Sequence, residues 1–78
     1  MTTREQVLQI LHDVKPTKNL DGITNIIEGG YIDSFELMLL ITTLSEKFGV
    51  EISIDEIVPE NFNSVDAMAR MIETLQAK

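Results

Sequence analysis

Ser34 is the residue best placed for chemistry in this chain. It lies in Gly29-Gly30-Tyr31-Ile32-Asp33-Ser34-Phe35-Glu36, where a glycine pair turns the chain and Asp-Ser opens directly onto an apolar run. That order puts a hydroxyl at the mouth of a helix with a carboxylate beside it. Three kinds of work are open to such a serine: nucleophile, helix cap and point of modification. A nucleophile needs a base held by a third group. The single histidine, His12, falls beside the apolar stripe of the first helix, a surface or boundary position, and there is no Gly-x-Ser-x-Gly elbow. No metal-ligand spacing, Walker pattern or dinucleotide glycine pattern is present, and Gly29-Gly30 reads as turn chemistry. As a cap, Ser34 would accept a bond from a backbone N–H two or three residues on, which is what most Asp-Ser pairs before a helix are for. As a modification point, it would place a phosphodiester at a helix N-terminus, where free N–H groups and the dipole favour an anion. Asp33 could then help hold a divalent metal brought by a modifying enzyme.

The elements that must position this serine follow from periodicity. Thr2-Thr3-Arg4-Glu5 has capping-box spacing. Val7, Ile10, Leu11 and Val14 recur at i, i+3, i+4 and i+7, predicting a helix over about 3–15 that ends before Pro16. A long connection, 16–33, carries turn residues but also Leu20, Ile23, Ile26 and Ile27, so it should pack against the bundle; loops of this length are often functional. A second helix is expected over 34–48, stopped by Gly49. Val50 to Ile54 alternates like a strand without a partner and reads as an extended connection with Ile52 and Ile54 tucked in. A short helical turn is expected over 55–58, before Pro59. A last helix over 64–76, capped by Asn63 or Ser64, carries Val65, Met68, Ala69, Ile72 and Leu75 as its stripe. The expected fold is all-α: one domain over 1–78, a small bundle of three main helices plus one short helix.

The second helix has more apolar surface than one core can use. At about 100° per residue, Leu37, Leu40, Ile41, Leu44 and Phe48 form a core face. Phe35, Leu39, Thr42 and Glu46 fall opposite, with Met38 at the edge. We expect Phe35, Met38 and Leu39 to form an exposed strip leading away from Ser34, as protein-docking surfaces do.

Bulk properties narrow the partners. The net charge is −7, and no cysteine is present. Residues 1–27 are neutral overall, whereas residues 28–73 carry ten acids against Lys47 and Arg70. This excludes nucleic acid, whose phosphates call for Lys and Arg, and favours partners with basic surfaces. The chain has no apolar run of membrane-spanning length and no secretory signal pattern. With the absence of cysteine, a cytoplasmic monomer is expected.

Gly30-x-x-Asp33-Ser34-Phe35, the helix ending Glu46-Lys47-Phe48-Gly49-Val50-Glu51-Ile52, and the run Pro59-Glu60-Asn61-Phe62-Asn63-Ser64-Val65 together resemble the acyl carrier protein family, from the first helix to Leu75. The resemblance implies that Ser34 bears 4′-phosphopantetheine, transferred from coenzyme A by a phosphopantetheinyl transferase, with Asp33 and Phe35 as motif support. It implies no enzyme activity and no intrinsic metal. The chain would be a stand-alone carrier holding an acyl thioester and presenting it to an activating ligase and to acyl-transfer or synthase enzymes of fatty-acid, polyketide or other specialised acyl metabolism. The second helix would be the recognition element, through Phe35, Glu36, Met38, Leu39, Thr42 and Glu46. Fatty-acid carriers show Asp-Ser-Leu and a more acidic second helix. Ile32-Asp33-Ser34-Phe35 is nearer to D-alanyl and other aminoacyl carriers, which stand as the alternative cargo class. From the residues alone, a reading of another class stays open: an unmodified acidic helical adaptor in which Ser34 is only a cap.

Overall fold

The computed structural model describes residues 1–78. It contains α1 (Thr3–Val14), α2 (Ser34–Phe48), a 3-10 turn (Ile54–Glu56), α3 (Pro59–Phe62) and α4 (Val65–Gln76), and no strand. The expected all-α bundle of three main helices and one short one is what forms. α1 packs against both α2 and α4, and α3 packs against α4.

Local sequence explains each start. The Thr2 hydroxyl accepts from the Glu5 N–H at 3.1 Å, and the Thr2 N–H donates to the Glu5 carboxylate at 2.9 Å, closing the box that opens α1. The Ser64 hydroxyl accepts from the Ala67 N–H at 3.0 Å and opens α4. Gly49 ends α2 in the left-handed conformation, its N–H donating to the Ser45 carbonyl.

The middle of the chain departs from expectation in three ways. An additional short helix spans 59–62, where Pro59 takes the first helical position and its missing N–H costs nothing. The helical turn expected over 55–58 forms as the 3-10 turn Ile54–Glu56, where Ser53 donates its N–H and its hydroxyl to the Glu56 carboxylate at 3.1 and 2.7 Å. Ile54, expected to tuck in, is 83% exposed on this turn, while Ile52 packs partly against the core.

All fifteen buried residues are hydrophobic. α2 contributes Leu40, Ile41 and Leu44, with Leu37 and Phe48 partly buried beside them. α4 contributes Val65, Met68, Ala69, Met71 and Ile72. The connection between α1 and α2 is part of this core, through Leu20, Ile26 and Ile32. Burying each such aliphatic side chain is worth about 1.5–3 kcal/mol, so this connection is held as firmly as a helix. Asn63 adds a polar staple. Its side-chain oxygen accepts from the Ile27 and Glu28 N–H groups at 3.0 and 3.2 Å, and its amide donates to the Glu28 carboxylate at 3.0 Å. Its own carbonyl accepts from the Ile26 N–H at 2.9 Å. Arg4 pairs with Asp21 of the connection and with Asp66 in the first turn of α4.

Candidate functional site

The stapled connection delivers Ser34 through a run of tight turns. Gly29 donates its N–H to the Asn25 carbonyl at 2.6 Å, Gly30 to Ile27 and Tyr31 to Ile26. Both glycines are required. A Cβ at Gly29 would meet the Asn25 carbonyl oxygen at 2.7 Å, and Gly30 sits at φ +72°. Ile32 then inserts into the core, so the next residues emerge at the surface in fixed register.

At the start of α2 the cap is Asp33, not Ser34. The Asp33 carboxylate accepts from the Glu36 N–H at 2.8 Å, and the Asp33 N–H donates to the Glu36 carboxylate at 2.9 Å. Ser34 is the first helical residue, exposed, and its hydroxyl takes no part in the cap. Of the uses open to Ser34, capping thus falls to Asp33 instead. The signal was present: Asp33-x-x-Glu36 has the same spacing as Thr2-x-x-Glu5. The structure adds a residue that sequence reading missed. The Lys15 ammonium, at the end of α1, lies 3.1 and 3.3 Å from the two Glu36 carboxylate oxygens.

Beyond the serine, α2 presents the outward strip. Phe35, Met38 and Leu39 are 78%, 61% and 47% exposed, and Thr42 and Glu46 are exposed further along the same face. The connection does not fold over them. Glu36 differs from its neighbours: half-buried, its carboxylate is engaged by Asp33 and Lys15. His12 is exposed on α1 and is not brought to Ser34 by any hydrogen bond.

Three clefts indent the surface. An apolar one of about 80 Å³, lined by Ile27, Leu37, Ile57, Val58, Pro59 and Phe62, opens one turn along α2 from Ser34. The others, about 200 and 450 Å³, lie along α4 and along α1. No group of three or more His, Cys, Asp or Glu residues is arranged to hold a metal ion, and no helix is long and apolar enough to cross a membrane. An exposed hydroxyl on the first residue of a fifteen-residue helix, free of capping duty, fits a phosphodiester-linked prosthetic group: its phosphate would meet the unpaired N–H groups of the first turn.

Comparison with known proteins agrees with this geometry. Residues 5–72 match the family described as phosphopantetheine attachment site. The D-alanyl carrier protein of Lactobacillus acidophilus is 27% identical over 77 residues, covering 97% of this chain and 98% of that protein. The D-alanyl carrier protein of Lactobacillus helveticus is 26% identical over the same length. The chain belongs to the phosphopantetheine-binding carrier family, whose members bear covalently attached 4′-phosphopantetheine.

Proposed function

We propose that Ser34 is the attachment point and that the chain carries a small acyl or aminoacyl group, of which D-alanyl is the leading candidate. The observation that carries the first part is the free, exposed Ser34 hydroxyl beside a cap made by Asp33. In the attachment step the Ser34 oxygen attacks the phosphorus of coenzyme A that bears the pantetheine arm. The pyrophosphate bond breaks and adenosine 3′,5′-bisphosphate leaves. The serine proton passes to a base of the transferase, since this chain has none in place. Once attached, the arm supplies a terminal thiol that holds cargo as a thioester. The chain's residues then do two things. The first turn of α2 stabilises the phosphodiester through its N–H groups and dipole. The strip from Phe35 to Glu46 gives partner enzymes a surface next to the arm, so that cargo reaches them at high effective concentration.

The cargo reading rests on a separate observation. The cleft beside α2 is about 80 Å³, and the core behind it is filled, with Leu40, Leu44, Met68 and Ile72 fully buried. A cavity of about 150 Å³ is what a single benzene ring occupies. The cleft nearest Ser34 thus leaves little room for a long acyl chain, whereas an aminoacyl group needs none; the larger cleft, about 450 Å³, lies along α1. The two relatives, named as D-alanyl carriers, and Phe35 after the serine support the same class. The partners that follow are a phosphopantetheinyl transferase and a ligase that activates the cargo as an adenylate.

Incubation with coenzyme A, magnesium and a promiscuous transferase should add one phosphopantetheine mass to the wild-type chain and none to Ser34→Ala. An unmodified wild type, or a modified Ser34→Ala, would overturn the assignment. For cargo, the thermal midpoint of the loaded protein should not change as the acyl chain is lengthened. A midpoint that climbs with chain length would show that the core admits the chain.

A further inference from the structure

The turn that carries Ser34 is closed by one carboxylate with two duties. Glu36 Oε1 accepts from the Asp33 N–H at 2.9 Å, completing the box around the serine, and the same oxygen faces the Lys15 ammonium at 3.3 Å, with Oε2 at 3.1 Å. The pair is shielded. The Lys15 side chain is 27% exposed and that of Glu36 20%, whereas both partners of each Arg4 ion pair are 40% exposed or more. Lys15 is itself anchored as the cap residue of α1, its N–H donating to the Leu11 carbonyl at 2.9 Å. One of the few cations in a chain of net charge −7 is thus committed to the frame of Ser34, across 21 residues of sequence.

We propose that Lys15 is a positioning residue for the modification of Ser34. Through Glu36 it holds residues 33–36 in the conformation a transferase accepts, and it offsets the negative charge that a phosphodiester adds between two carboxylates. The proposal rests on the reading of Ser34 as the attachment point. Glu36 has a long side chain with several staggered states. With Lys15 in place, the state that closes the box is selected. Without it, the box becomes one state among several, and the competent fraction of the carrier falls. Apparent affinity for an enzyme that binds only the competent state falls by that same fraction. The chemistry at Ser34, supplied by the transferase, does not change once the complex has formed. The electrostatic part acts after modification. Residues 33, 34 and 36 then bear three negative groups within one helical turn, and like charges this close repel unless a cation lies among them.

The test is steady-state loading from coenzyme A with the carrier concentration varied, on wild type, Lys15→Met and Lys15→Arg. Lys15→Met keeps the apolar stem and removes the charge. It should raise KM for the carrier several-fold with kcat unchanged, and Lys15→Arg should restore KM to near the wild-type value. The thermal midpoint should fall more for Lys15→Met in the loaded protein than in the unloaded one. An unchanged KM, or a midpoint that falls equally in both forms, would make the pair a structural brace and overturn the proposal alone. A wild type that cannot be loaded at all would overturn the attachment reading, and the proposal with it. Should Lys15→Met not fold, Lys15→Gln carries the same test: it removes the charge facing Glu36 and leaves the Glu36 carboxylate to the Asp33 N–H, and the same rise in KM is expected.

Discussion

α4 and α2 are both amphipathic helices in the same small bundle, yet only one of them is accounted for by folding. In α4 the apolar residues Val65, Met68, Ala69, Met71 and Ile72 are buried and Leu75 packs partly against the core, so none of its large apolar residues is left in solvent. In α2, Leu40, Ile41 and Leu44 serve the core in the same way, but Phe35, Met38 and Leu39 lie on the far side in solvent. Exposed apolar surface gives an isolated protein nothing; grouped beside the proposed attachment serine, it supports the reading of this face as a docking surface. The lesson of the pair is that apolar residues in excess of what the core uses locate function better than the charge distribution does. Acidic residues are spread over much of residues 28–73, whereas three of the exposed large apolar residues, Phe35, Met38 and Leu39, are grouped on one face of α2, with Ile54 and Met1 exposed elsewhere.

The comparison can be broken most decisively from the α4 side. Ile72→Ala should cost about 2–5 kcal/mol in chemical denaturation, while the folded fraction still accepts phosphopantetheine at the wild-type rate. A large effect on loading per folded molecule would mean that α4 is not purely structural. The reciprocal experiment is Leu39→Asp. Helical signal and stability should stay within about 0.5 kcal/mol of wild type, while cargo transfer by the partner ligase weakens about tenfold, a difference of about 1.4 kcal/mol. Lost helicity would show that the outward face is buried after all.

The site turn sharpens the contrast on a smaller scale. Asp33→Ala should destabilise by about 1 kcal/mol, and Ser34→Ala by less, because the cap is the aspartate. Equal losses in denaturant midpoints would return the capping role to the serine. The smallest effect belongs to acid. Glu5 is held below the ordinary carboxylate range by the backbone N–H and then the hydroxyl of Thr2, and Glu56 by the hydroxyl and then the N–H of Ser53. Their folded values lie below their unfolded ones, so the stabilisation is complete above about pH 4.3 and is lost as pH falls through the folded values. Glu5→Gln and Glu56→Gln should each flatten the fall of the thermal midpoint below that pH. An unchanged slope would remove these two carboxylates as its cause.

Much of this was legible in the chain because it is local. The Thr2–Glu5 box, the wheel of α2, the left-handed stop at Gly49 and the stripe of α4 all depend on residues within a turn or two of one another, and they stand where periodicity puts them. Pro59 was misread because the same residue that ends one segment can begin the next; its missing N–H suits a first turn as well as a break. The cap fell to Asp33 because two adjacent residues each qualified, and only the one followed three places on by Glu36 could close a box. Ile54 was given to the core by an alternation that the 3-10 turn interrupts. The Lys15–Glu36 pair and the Asn63 staple had no local signature. They join residues 21 and 35–36 positions apart, and only packing brings those together.

The Asn63 staple bears on the order in which the molecule is completed. Helices close within themselves quickly, whereas a contact across 36 residues must wait for the chain between to be gathered. Until Asn63 meets Ile27 and Glu28, the turns that carry the chain from Asn25 to Ile32 have nothing to lean on, and Ser34 has a helix behind it but no frame in front. The frame in front of Ser34 therefore depends on a contact made far away in the sequence, and not on α2 alone.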